Sequence, residues 1–107
     1  MKKKLIVRSS KDFEDIITNG NHKKNSSFII HSKDNNLSYD RYGISVSKKL
    51  GNAVFRNKYK RKIRSIIDIY KKNYFKMKDY IIILRKGALN KSFQDLKKEL
   101  IDLLMQN

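Results

Sequence analysis

The feature that most constrains this chain is a continuous apolar run of strand length, Tyr80-Ile81-Ile82-Ile83-Leu84. A half-exposed strand alternates polar and apolar residues because successive side chains point to opposite faces, whereas an unbroken apolar run needs cover on both faces. The run therefore predicts a central strand with helices packed against its sheet. Because only 39% of the residues are hydrophobic, we expect a small core under a highly charged surface.

The first half of the chain predicts a short helix and then a hairpin. Ser9 or Ser10 can cap the helix, and Gly20 ends it. Residues 1–8 form a basic tail that we expect to stay mobile until it meets a partner. The other elements predicted here are a polar loop over 19–25, a strand over 27–32, a hairpin turn at 34–36 and a strand over 42–47 with one buried face.

The second half predicts two helices around the central strand. Asn52 is the expected N-cap of a long helix that runs to about Tyr74, and Asn90 or Ser92 opens a last helix. The apolar stripe of the long helix is Tyr59, Ile63, Ile66, Ile67, Tyr70 and Tyr74, and that of the last helix is Phe93, Leu96, Leu100, Leu103 and Leu104. The predicted order is α-β-β-α-β-α, an α+β fold of one domain over residues 1–107, built as a small α/β sandwich with helices on a central sheet.

Positive charge is concentrated in one part of the chain. Lysine and arginine total 26 against 10 acids, a net charge of +16. Between Asp40 and Asp68 there are nine cations and no acid. Arg56, Lys60 and Arg64 follow one another at steps of four residues, a spacing at which like charges repel on a helix. A merely solvated face usually mixes both signs, so the pattern favours a surface whose counter-charge is phosphate.

The long helix presents these cations along one side. At about 100° per residue, Lys58 and Lys62 fall behind this side, toward solvent. The residues that border the apolar stripe, called here the basic arc, are Arg56, Asn57, Lys60, Arg61 and Arg64. Arginine suits bidentate phosphate contact, and an asparagine can reach a base edge or a 2′-hydroxyl. The residues predicted to bind nucleic acid are Lys48, Lys49, Asn52, Arg56, Asn57, Lys58, Lys60, Arg61 and Arg64.

The sequence shows no set of side chains spaced to cleave RNA in the protein itself. His22 and His31 fall in the predicted loop and strand, with no spacing that brings both to one phosphate. The chain has no cysteine, and it carries no phosphate-binding glycine loop or hydrolase serine motif. We therefore expect no catalytic residue, no metal site and no small-molecule cofactor. No apolar run approaches the roughly 20 residues of a membrane helix, and we expect a cytoplasmic protein.

Residues 41–64 are similar to the signature of the bacterial ribonuclease P protein family. The likeness rests on Gly51-Asn52-Ala53-Val54, Arg56-Asn57, Lys60-Arg61 and Arg64. Asp79-Tyr80-Ile81-Ile82-Ile83 resembles the family's strand after the long helix, and the first helix with Phe13 extends the likeness to nearly the whole chain. Two positions depart from the family pattern. Lys58 replaces an arginine, which removes bidentate contact there, and Ile17 stands where an aromatic residue is common.

The resemblance implies an accessory protein of a ribozyme. The RNA subunit would hold the catalytic Mg²⁺ and cleave precursor tRNA to leave the mature 5′ end. The protein would bind that RNA through the basic arc and hold the single-stranded 5′ leader in a cleft between the first helix and the sheet. Matching positions make Phe13, Ile17 and Phe28 the cleft walls, although core packing is the alternative for Phe13 and Phe28. The family fold also implies a left-handed crossover around the long helix, against the general right-handed preference.

Two other classes of protein share this charge and size. A structural RNA-binding protein of the ribosomal type would need no role in cleavage, but Gly51–Val54 together with Arg56-Asn57 favours the ribonuclease P subunit. A peripheral membrane protein would need a free apolar helix face, and here the apolar stripe is required against the sheet.

Overall fold

The computed structural model describes residues 2–107, and its helices begin at predicted capping residues. Ser9 accepts a hydrogen bond from the backbone N of Asp12, Asn52 Oδ1 from Phe55 N, and Ser92 from Asp95 N. Each satisfies an N–H that a first helical turn leaves free. The helices are α1 (Ser10–Asn19), α2 (Ala53–Tyr70) and α3 (Phe93–Gln106), and shorter 3₁₀ turns span Lys3–Leu5, Lys48–Leu50 and Lys86–Ala88.

The central strand is confirmed. The strands are β1 (Asn21–Lys24), β2 (Phe28–Asp34), β3 (Arg41–Ser45) and β4 (Lys78–Leu84). Their spatial order is β1-β2-β4-β3, so β4 lies inside the sheet, antiparallel to β2 and parallel to β3. The parallel neighbours β3 and β4 are joined through α2. The left hand expected for this crossover stays a prediction.

Two predictions about the sheet are wrong. β2 and β3 do not form a hairpin because β4 lies between them, although the chain does turn near Asn36, which has a φ of 57°. Residues 21–24, predicted as loop, form β1, so the order is α-β-β-β-α-β-α. Every β1 side chain is exposed, and backbone pairing to β2 forms this edge strand without any apolar pattern.

The main core lies between the sheet and the pair α2 and α3. The predicted stripes of both helices face it, and Phe93 packs against it while partly buried. The exception is Tyr74, which lies beyond the end of α2 and is exposed. The sheet residues of this core are Phe28, Ile30, Tyr42, Tyr80, Ile82 and Leu84. No helix among residues 2–107 is both long enough and apolar enough to cross a membrane.

A second, smaller core lies on the opposite face, under α1. It joins Ile16 of α1 to Ile81 of β4 and to Val7, which is 3% exposed. Val7 N donates a hydrogen bond to the backbone O of Tyr42 at 3.0 Å, and Ile6 forms a bridge with Tyr42. The predicted tail therefore includes residues that pack beside β3, which corrects its boundary. Met1 lies outside the described residues, and the mobility of the rest of the tail stays a prediction.

Candidate nucleic-acid interface

α1 has two chemically different flanks on either side of Ile16, which points into the sheet. Helical geometry of 3.6 residues per turn places Asp12 and Asp15 on one flank and Phe13 and Ile17 on the other. Phe13 is half-buried and Ile17 is 43% exposed. The helix therefore directs its acids toward one half of the sheet face and its apolar side chains toward the other half.

The acidic flank is matched by cations from the sheet. Lys33 of β2 pairs with Asp15, and Arg41 of β3 lies 3.8 Å from Asp12. Arg41 Nε and Nη2 also donate to the two carboxylate oxygens of Asp79, at 2.8 and 2.5 Å, which raises the pKa of Arg41. Arg41, one of the nine cations between Asp40 and Asp68, is therefore neutralised within the fold.

The apolar flank of α1 borders an open half of the sheet face. Ile29 of β2, Ile83 of β4 and Ser45 of β3 lie in one cross-strand row, and all three are half-buried rather than covered. We call the space between this row and the α1 side chains Phe13 and Ile17 the α1 groove. Its floor and its helical wall are mainly apolar, so it offers unstacked bases a surface without sequence preference.

Gly43 lets Phe13 lie directly on the sheet. A Cβ at this position would come within 2.6 Å of Phe13 Cζ and 2.8 Å of Ile81 Cδ1. Beside Phe13 a cavity of about 110 Å³ opens toward α2, where Lys60 and Arg64 line it. Phe13 thus contributes both to the α1 groove and to a notch that two cations of the basic arc border.

Phe28 is not a wall of this groove, and that prediction is wrong. It is fully buried in the main core, on the α2 and α3 side of the sheet. Successive residues of a strand face opposite sides, so its neighbours Ile29 and His31 are the ones that face α1. Because Phe28, Ile29 and Ile30 are all apolar, the sequence shows no alternation that would indicate which of them faces the groove.

The basic arc is free of acidic partners. The five ion pairs among residues 2–107 involve Lys33, Arg41 (twice), Lys71 and Lys91, and none includes a cation between Lys48 and Arg64. Within the arc Arg56 and Lys60 are half-buried at the border of the core, and the other members are exposed. Of ten acids, the one on α2, Asp68, pairs with Lys71 at 3.1 Å, beyond the arc. The fold therefore leaves this repulsion in place.

The remaining predicted contact residues surround the arc. Lys48 and Lys49 are exposed in the 3₁₀ turn before α2, and Lys58 is exposed on α2. Asn52 uses its Oδ1 as the helix cap, and its amide NH₂ can donate to a partner. Lys62 differs from the prediction. Its ammonium group lies 4.8 Å from the centre of the Tyr59 ring on the opposite border of the apolar stripe.

The two histidines lie closer together than the sequence indicates. His22 of β1 pairs directly with His31 of β2, and their ring centroids are 5.4 Å apart. Burial, with a smaller contribution from the charge of His22, lowers the pKa of His31. The missed strand β1 explains why this proximity was not predicted. Among residues 2–107 no three His, Asp or Glu side chains are grouped to hold a metal ion.

These features define a class: a small basic α+β protein whose unpaired cations lie beside an apolar groove, suited to contact a polyanion. The chain belongs to the ribonuclease P protein family, because the family model described as Ribonuclease P matches residues 1–107. It is a protein subunit of ribonuclease P, works in tRNA processing and has the RNase P RNA as its partner. A structural RNA-binding protein of the ribosomal type is not favoured.

Known relatives match along nearly their whole length. The ribonuclease P protein component of Mycoplasma mycoides is 44% identical, over 99% of this chain and 98% of the relative. That of Streptococcus agalactiae is 43% identical, over 97% and 94%. The solved RNase P protein of Thermotoga maritima is 31% identical with a TM-score of 0.89, over 94% of this chain and 96% of that one. A Staphylococcus aureus RNase P protein structure gives 35% identity and a TM-score of 0.88, over 95% and 94%.

Proposed function

We propose that the chain holds the single-stranded 5′ leader of precursor tRNA in the α1 groove while the basic arc contacts the catalytic RNA. In this proposal the RNA carries out endonucleolytic removal of the leader, and the protein assists. The observation that carries it is the position of Phe13, which is shared by an apolar groove and a notch bordered by the unpaired cations Lys60 and Arg64.

The groove has the chemistry that a leader of variable sequence requires. Bases of a single strand can stack on Phe13 and pack against Ile17 and Ile83 whatever their hydrogen-bonding edges are. Cations next to such a surface neutralise the backbone that connects the bases. Lys60 and Arg64 lie at one end of the groove, where the strand would pass from the protein toward the tRNA.

The arc has the chemistry that a folded RNA requires. Arg56, Arg61 and Arg64 can each make bidentate contacts to phosphate, and Asn57 between them is exposed. The missing counter-charge makes RNA binding the step that relieves repulsion along α2. Lys58, which replaces a family arginine, is exposed and not part of the arc. We therefore expect the loss of a bidentate phosphate contact at this position to reduce RNA affinity only slightly.

Catalysis in this proposal belongs to the RNA. The acids near the groove, Asp12 and Asp15, are held by Arg41 and Lys33, and neither points a free carboxylate at the groove. Magnesium ions would therefore be bound by the RNA subunit, with no cofactor held by the protein. Because it works on RNA substrates inside the bacterial cell, we place the protein in the cytoplasm.

Measurements of binding and cleavage at low magnesium test the leader site. The full chain is assembled with the cognate catalytic RNA, and affinity is measured for precursor tRNA with a long leader and for mature tRNA. Phe13→Ala should weaken precursor binding about tenfold, the scale of one lost base–aromatic stacking contact, and leave mature tRNA binding unchanged. Ile17→Ala removes an aliphatic side chain that packs against the bases, so it should act in the same direction with a smaller loss.

Ile69→Ala is the matched control, because Ile69 is an isoleucine of similar exposure, 38%, on α2 away from the groove. It should bind both RNAs as the unchanged protein does. Equal losses for precursor and mature tRNA in Ile17→Ala would refute the leader site. No stimulation of cleavage by the unchanged chain would refute the accessory role itself.

A further inference from the structure

A second cavity lies at the other end of α2, between the N-terminal turn and the segment after the helix. It has a volume of about 280 Å³. Its lining, called here the aromatic pocket, includes Leu5, Tyr39, Asp40, Tyr42, Lys71 and Phe75. This volume is near the lower end of the roughly 300–1,000 Å³ typical of small-molecule sites, which suits one flat ring system.

The walls of the pocket offer aromatic surface that the fold does not use. Phe75 is 67% exposed and belongs to neither core. Tyr39 is half-buried, and the ammonium group of Lys4 lies 5.0 Å from the centre of its ring. An exposed phenylalanine and a tyrosine with a cation at its face line one pocket, and such side chains offer surfaces on which nucleic-acid bases stack beside their phosphates.

The floor of the pocket carries an unpaired carboxylate. Asp40 is only 5% exposed and has no ion-pair partner among residues 2–107. It accepts hydrogen bonds from the backbone N of Lys76, at 3.1 and 3.2 Å, and of Lys78, at 2.7 Å. An ionised carboxylate has about four acceptor positions, so two N–H donors leave capacity for a further donor.

Neutral tyrosine hydroxyls surround this carboxylate. Those of Tyr42, Tyr70 and Tyr80 are buried and have no hydrogen-bond partner within residues 2–107. Burial, and next the charge of Asp40, raise the pKa of all three, so they stay protonated. Of these three tyrosines, Tyr42 lines the pocket, so one residue of its interior wall carries an unsatisfied hydroxyl while the outer rim is aromatic. Such a group of orphaned polar atoms calls for an explanation.

We propose that the aromatic pocket binds one unstacked guanine of an RNA strand, an inference that rests on the RNA-binding function proposed above. The Watson–Crick edge of guanine presents two adjacent donors, N1–H and the N2 amino group, which match an acceptor-only carboxylate. Adenine and cytosine present a ring-nitrogen acceptor there, which Asp40 would repel. The base would stack between Tyr39 and Phe75, and Lys4 would meet its phosphate.

Chemical-shift mapping of the full chain with mononucleotides tests the site. GMP should shift the backbone amides of Tyr39, Asp40 and Phe75, and AMP should need about a tenfold higher concentration, the scale of one bidentate base contact. If the nucleotides bind only through their phosphate group, GMP and AMP should both shift backbone amides of the basic arc. Shifts confined to the arc and the α1 groove, or equal shifts at the pocket for GMP and AMP, would overturn the proposal.

A pair of variants identifies which RNA supplies the guanine. Phe75→Ala removes an exposed side chain and should leave the fold intact, and Tyr74→Ala is its control, a neighbouring exposed aromatic outside the pocket. If the catalytic RNA is the source, Phe75→Ala weakens its binding about tenfold; if precursor tRNA is the source, the loss appears only when the assembled enzyme binds substrate. No loss in either arm, or an equal loss in Tyr74→Ala, would refute an RNA base as the occupant. The α1 groove test uses Ile17, so the two proposals fail separately.

Discussion

Removing three cations of the basic arc should change the salt dependence of RNA binding more than it changes the fold. The triple variant Arg56→Ala, Lys60→Ala and Arg64→Ala takes away side chains that have no acidic partner in the structure. Each phosphate contact to a single strand contributes about 0.7 to the slope of log K against log salt, so three contacts contribute about 2. Raising the salt from 50 to 200 mM should therefore weaken RNA binding by the triple variant about 20-fold less than it weakens binding by the unchanged protein.

The assay is filter binding of the catalytic RNA over that salt range, with circular dichroism to verify folding. A matched control, Lys72→Ala, Lys86→Ala and Lys98→Ala, removes the same charge from exposed positions that also lack ion pairs. It should leave the slope within about 0.7 of the unchanged protein. If both triple variants flatten the slope equally, net charge and not the arc governs binding, and the reasoning from unpaired cations fails.

Two other predictions concern stability. Phe28→Ala should lower the free energy of unfolding by about 3–5 kcal/mol because it empties a core site, whereas Ile17→Ala should lower it by less than about 1 kcal/mol. Urea denaturation measures both losses, and equal values would contradict the placement of Phe28 in the core and of Ile17 at the groove. Glu99 accepts hydrogen bonds from Lys91, and next from Ser27 and Ser26, which lowers the pKa of its carboxyl group from the ordinary value. A carboxylate with a lowered folded pKa stabilises the fold above its unfolded pKa and loses that contribution as pH falls through the folded pKa. Glu99→Gln should therefore be less stable than the unchanged chain at pH 7 and approach it below pH 4.5; a stability difference that is constant down to pH 3 would argue against this linkage.

Local signals in the sequence were sufficient for the helices and the central strand. The caps Ser9, Asn52 and Ser92 act through hydrogen bonds to residues three positions ahead, so both partners are visible in one short window. The apolar run Tyr80–Leu84 is likewise a local signal, and it indicates a strand buried on both faces. The arc could be predicted because helical spacing alone places its members on one side of α2.

Long-range pairing could not be read in this way. β1 has no apolar residue and forms because its backbone bonds to β2. The strands of the apparent hairpin, β2 and β3, are separated by β4, which follows them in the chain only after the whole of α2. For the same reason, the sequence did not identify which residue of β2 forms the floor of the α1 groove. Phe28 and Ile29 are adjacent apolar residues, and only the positions of α1 and the α2–α3 pair decide which of them faces the groove.

Site-specific crosslinking from the groove tests the central claim most directly. The chain contains no cysteine, so Ile17→Cys supplies a unique attachment point for a photoreactive group, and Met105→Cys, at 49% exposure on α3, supplies a control of similar exposure. In the assembled enzyme with precursor tRNA, the group at position 17 should form adducts with leader nucleotides, and the group at position 105 should not. Adducts from position 17 that fall only in the catalytic RNA or in the tRNA body would contradict the assignment of the α1 groove to the leader.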